Sequence, residues 1–123
     1  MATEGPLLHD GGQRVAGTDL SAKQFFAVVQ STTDRQVILA SAAVGISGIL
    51  QNQPLAGQAA DIGFVGITKA QIGTAGVVAG DALQVEAASG KLITKGAGVQ
   101  VGVALEAAAA GTLGTVMLTG PTA

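Results

Sequence analysis

The chain has 123 residues, room for one domain that buries roughly two-thirds of its unfolded surface. Apolar residues make up 48% and charged residues only 11%, the formal net charge is −2, and Tyr, Trp and Cys are absent. Scattered Lys and Arg with no aromatic platforms exclude a nucleic-acid footprint, and the lack of cysteine excludes disulfides, thiolate metal sites and thiol nucleophiles.

Residues 1–18 read as an extended amino-terminal arm. They hold Gly5, Gly11, Gly12, Gly17 and Pro6, show no apolar periodicity, and offer one apolar pair, Leu7 and Leu8, as the candidate partner contact. The acidic start lacks the basic region and apolar core of a signal peptide. Residues 19–123 read as a single β domain of short strands divided by turn residues. Phe25–Gln30 leads through Ser31-Thr32-Thr33-Asp34 to Gln36–Ala40, a predicted hairpin. Val44–Leu50 follows, then a Gln-Asn-Gln-Pro loop to Gly57 and a strand over Ala60–Thr68. Ala82–Ala87 and Lys91–Lys95 flank Ala88-Ser89-Gly90 as a second hairpin, and Val99–Leu105 and Thr112–Thr119 complete the set. Leu83 and Val85 alternate with Gln84 and Glu86, the period of a half-buried strand.

The single helix-like stretch, Ala104–Ala110, is too short for a stable helix and is closed by Gly111. The apolar run Val37–Leu50 is too short to cross a bilayer as a helix, so a soluble chain that does not enter a membrane is expected.

The last quarter of the chain repeats its middle. Gly48–Gly66 (GILQNQPLAGQAADIGFVG) aligns without a gap on Gly102–Gly120 (GVALEAAAAGTLGTVMLTG), at an offset of about 54 residues. Gly57 falls on Gly111, Ile49 on Val103 and Ile62 on Val116. Upstream, the same offset places Ile38-Leu39-Ala40 on Leu92-Ile93-Thr94, so the repeat spans about 36–66 and 90–120. The expected fold is all-β, a small barrel or sandwich built from two similar β motifs with an amino-terminal arm. A core without large aromatics is thin for its size, and a weakly charged surface meets other protein, so a homo-oligomer is expected.

Reactive groups are sparse. His9 is the sole histidine and lies in the arm, where nothing in sequence anchors it as a base. His9 and Asp10 lack a further ligand nearby for a metal. Asp61 aligns with Thr115 and Glu106 with Asn52, so both carboxylate positions accept a neutral polar residue, as an exposed strand end does. The Gly-rich stretches lack the Lys and following helix of a phosphate loop, and no Ser lies in a nucleophile elbow. No catalytic, cofactor or metal site is assigned, and the chain is expected not to be an enzyme.

Val78–Val85 (VAGDALQV), Gly90–Thr94 (GKLIT) and Val101–Ala110 (VGVALEAAAA) resemble the carboxy-terminal half of a family of small tailed-phage head decoration proteins. Asp19–Gln24 with the β run after it, and Gly48–Pro54, resemble its amino-terminal half. The resemblance covers roughly Asp19 to Gly120 and rests on structural Gly, Ala and Val. It implies a trimeric capsid cement on the outer face of a virion assembled in the host cytoplasm, partnered by itself and the major capsid protein, without cofactor or catalysis. A small β-barrel ligand- or receptor-binding module on the virion surface is the alternative. The absence of Trp and Tyr counts against a sugar site there. An accessory domain of an enzyme complex is a further alternative.

Overall fold

Small aliphatic residues alternating with Gln, Thr and Ser suit a pleated, half-buried backbone, and the described residues form strands and turns with no helix. The computed structural model describes residues 2, 4–10, 13–42 and 45–119. Its strands are β1 (Leu7–His9), β2 (Arg14–Ala16), β3 (Ala27–Gln30), β4 (Gln36–Leu39), β5 (Gly48–Leu50) and β6 (Ala59–Ala60). The long β7 (Ile62–Gln71) leads into β8 (Ala82–Val85), β9 (Leu92–Thr94), β10 (Gly102–Ala104) and β11 (Leu113–Thr119). All lie in one 11-stranded sheet with the order β6-β2-β4-β3-β5-β7-β11-β10-β8-β9, and β1 sits beside β7 off that path. The all-β class expected from the sequence is therefore observed.

The two halves carry the same ladder. In the first, β5 pairs with β7 so that Ile49 faces Gly63 and Leu50 faces Ile62. In the second, β10 pairs with β11 so that Val103 faces Met117 and Ala104 faces Val116. The hairpins match as well, with Val28 opposite Leu39 in β3–β4 and Leu83 opposite Thr94 in β8–β9. Both turns at the repeat's centre hold glycine in the left-handed region, Gly57 at φ 82° and Gly111 at φ 78°. Each half also has one parallel contact: Ala16 beside Val37 in the first, Ile72 beside Leu92 in the second. β7 thus serves both halves. Its start closes the first ladder, and its end, running into Ile72, opens the second.

Two features depart from the sequence reading. The hairpins superpose one residue out of step with the rest, so that Val37-Ile38-Leu39 rather than Ile38-Leu39-Ala40 matches Leu92-Ile93-Thr94. The extra residue falls in the first half, between β4 and β5, where the connection is one residue longer than that between β9 and β10. The segment read as an arm of low secondary structure carries β1 and β2, because residues 5–10 run antiparallel beside β7 and Arg14–Ala16 antiparallel beside β6. The amides of Gly5, Asp10 and Ala16 donate to the carbonyls of Ile67, Ile62 and Gln58 at 3.2, 3.0 and 2.9 Å. Val44, at the start of one expected strand, and Gly120, at the end of the repeat, lie outside the described residues; so do Gly11 and Gly12 of the arm.

Two clusters form the core. Ala16, Leu20, Val28, Val37, Leu50, Ala60 and Ile62 fill the first half. The larger cluster joins Ile72, Leu83, Val85, Leu92, Val116 and Leu118 of the second half with Ala27, Ala40, Ile46 and Ile49 of the first. Burying each large aliphatic side chain contributes about 1.5–3 kcal/mol.

Candidate interaction surface

Leu7 and Leu8, the pair singled out in the arm, point opposite ways, as alternation along a strand requires. Leu7 is half-buried and packs against the larger core cluster. Its methyls lie over Gly63, where an added Cβ would stand 2.6 Å from them. Leu8 faces outward and keeps 59% of its surface exposed. Leu7 is opposite Gly66 and Leu8 opposite Val65, and the register shifts before His9 meets Gly63. A bulge of this kind turns the strand and re-aims the side chain beyond it.

That side chain is anchored. His9 Nδ1 lies 2.9 and 3.0 Å from the two carboxylate oxygens of Asp61. The reading of His9 as unheld is thereby corrected, since antiparallel pairing with β7 carries the histidine across to a residue distant in sequence. Asp61 is in turn fixed by its backbone, whose amide donates to Asn52 Oδ1 at 3.0 Å. The repeat-matched pair in the second half is also bonded, with the Thr115 hydroxyl donating to Glu106 at 2.8 Å. Asp10 turns elsewhere. It accepts from Arg14 Nε at 3.2 Å, and the same guanidinium donates to the Ser47 hydroxyl at 2.9 Å and Gln30 Oε1 at 3.4 Å. These contacts tie His9, Asp10 and Arg14 to the body. Among the described residues no three His, Asp or Glu side chains gather as metal ligands do.

The outer face beside Leu8 is apolar. Residues directly opposite on paired strands share a face, and the registers connect Val65 to Leu8, Ile67 to Met117, Met117 to Val103 and Val103 to Ala82. This row crosses five strands, on the order of 19 Å at the usual strand spacing. Leu8, Val65 and Met117 are its exposed members, and none of its residues is charged. Lys69 flanks the row along β7, its ammonium 5.7 Å from the centre of the Phe25 ring. Sequence reading missed the row because its residues come from five strands and meet only through the register; the alternation of Val65, Ile67 and Lys69 was the one local signal.

At the far side of the second hairpin, Glu86 is held by three contacts. Its carboxylate accepts from the Thr74 hydroxyl, from the Ser89 hydroxyl at 2.7 Å and from the Thr74 amide at 3.0 Å, and these, with Lys91 nearby, draw its carboxyl down to about 2.

No protein-family profile and no curated protein sequence matches the chain. A solved structure does match: the head fiber gp8.5 N base in bacteriophage phi29, with 16% sequence identity and a TM-score of 0.65. The alignment covers 96% of this chain and 97% of that one. The likeness is one of fold, and it extends end to end.

Proposed function

We propose that the chain is a structural, non-catalytic protein of a bacteriophage virion, attached to the outer surface of the head. The observation that carries this reading is the end-to-end fold match to a head fiber base, over 96% of this chain. Supporting it are a rigid single sheet and an uncharged outer row suited to protein contact. Within that reading the finer role is head decoration: copies of the chain, associated as trimers, brace neighbouring major capsid subunits. Self-association extends a core made of small side chains and covers apolar surface that a monomer leaves wet.

A second reading is favoured by the neighbour's own description as the base of a fiber. In that case the body anchors a further virion-surface element that binds a ligand or receptor, and bracing the shell is secondary. The two readings diverge on heat or osmotic challenge of heads with and without the protein. Decoration raises the temperature at which heads release DNA, whereas an anchor leaves it unchanged. Attachment itself is tested by sedimenting purified protein with heads that lack it; protein left in the supernatant at saturating heads contradicts both roles.

A further inference from the structure

β1 has an open edge. Among the described residues it pairs with β7 alone; β6, which pairs only with β2, is two residues long and runs through Asp61 into β7. An open edge presents unpaired N–H and C=O groups as a template for another strand. The pairing shows which groups these are. The Ile67 amide donates to the Pro6 carbonyl and the Asp10 amide donates to the Ile62 carbonyl, so the main-chain groups of Leu7 and His9 face away from β7 by antiparallel alternation.

The internal repeat supplies a filled version of the same edge. Ala16 of the amino-terminal segment occupies the place that Ile72, at the end of β7, holds in the second half. β1 is therefore the first-half equivalent of the middle of β7. In β7 the edge facing away from β11 is covered by an antiparallel strand, β1, at Val65 and Gly66. The matching edge of β1 is open.

We infer that the free edge of β1 is a strand-addition site, and that its occupant is β1 of a second copy of this chain. An antiparallel edge is complementary to itself across a two-fold axis. With Leu8 on the axis, Leu7 exchanges main-chain hydrogen bonds with His9 of the second copy, and Leu8 lies opposite its equivalent. The side chains suit the contact, since Leu8 is 59% exposed and His9 is turned onto Asp61. The adjoining apolar row carries no charge, and the carboxylates beside β1 are bonded within the chain, Asp61 to His9 and Asp10 to Arg14. The contact is two-fold, so it adds to a three-fold body rather than building it, and on a crowded shell it links neighbouring oligomers.

The test uses the whole chain in solution with no shell present, so its failure leaves head attachment standing. Opposed residues of a non-hydrogen-bonded pair have Cα atoms about 4.5 Å apart, within disulfide reach. Leu8→Cys, at an exposed position, is expected to gain a disulfide-linked pair under mild oxidation that is lost on reduction. Met117→Cys, exposed on the same face but not on β1, is expected to stay unlinked. Absence of linkage at position 8, or equal linkage at both positions, overturns the proposal. In the unmodified chain the amides of Leu7 and His9 should gain exchange protection as concentration rises. Protection independent of concentration overturns it as well.

Discussion

Gly48 and Gly102 occupy equivalent places where two backbones nearly touch. A Cβ at Gly48 would lie 2.3 Å from the Gly63 carbonyl oxygen, and one at Gly102 would lie 2.5 Å from that of Met117. Backbone cannot rotate aside as a side chain does, so Gly48→Ala and Gly102→Ala should each cost about 2–3 kcal/mol in urea unfolding. Gly57 and Gly111 have open space around them and only the left-handed backbone to resist a side chain. Their alanine variants should cost less, about 1 kcal/mol each; a larger loss there than at Gly48 and Gly102 would contradict the shared geometry. Glu86 gives the expected acid response. Its folded value of about 2 lies below the ordinary 4.5, so its contribution is complete above 4.5 and is lost as pH falls from there towards 2. A carboxyl NMR titration of Glu86 should place its midpoint near 2, and Glu86→Gln should flatten the pH dependence of stability in that window. A midpoint at the ordinary value would mean that the Thr74 and Ser89 contacts do not form in solution.

Among the elements, β1 is held on one side only. It lies off the sheet path and keeps one edge and Leu8 open, whereas β7 is paired along its length. Hydrogen exchange should therefore show residues 7–9 opening before β7 in dilute protein, and equal protection of both would contradict this. Leu50, fully buried opposite Ile62, belongs to the small first-half cluster. Leu50→Ala should cost about 2–5 kcal/mol in the same unfolding assay. Much of this order was legible beforehand. Both hairpins were read from turn residues between alternating segments, and the loop-and-strand repeat was read from aligned glycines and aliphatics. β2 was not legible, because Arg14-Val15-Ala16 is too short to show a period and gains its partners, β4 and β6, only through the fold. The one-residue slip was invisible for a related reason: alanine and glycine match one another at neighbouring offsets, and only cross-strand pairing tells them apart. Leu7 and Leu8 were found as a pair, but the glycine-lined seat of Leu7 and the anchoring of His9 by Asp61 depend on residues more than 50 positions away.

At the scale of the whole molecule, two matching ladders place a short chain with few large side chains in one 11-stranded sheet. One strand, β7, is used twice, so the two cores share a wall. The body's buried side chains are aliphatic and of modest size, so association is expected to add to its stability. Its melting temperature should therefore rise with protein concentration, and a monomer equally stable at nanomolar and micromolar concentration would count against self-association. The proposed attachment of this body to a phage head is tested most directly by cryo-EM of heads incubated with the purified protein, compared with the same heads left bare. Added density that fits the 11-stranded body on the outer lattice, at sites where major capsid subunits meet, is the expected result. Heads that remain bare at saturating protein would contradict it.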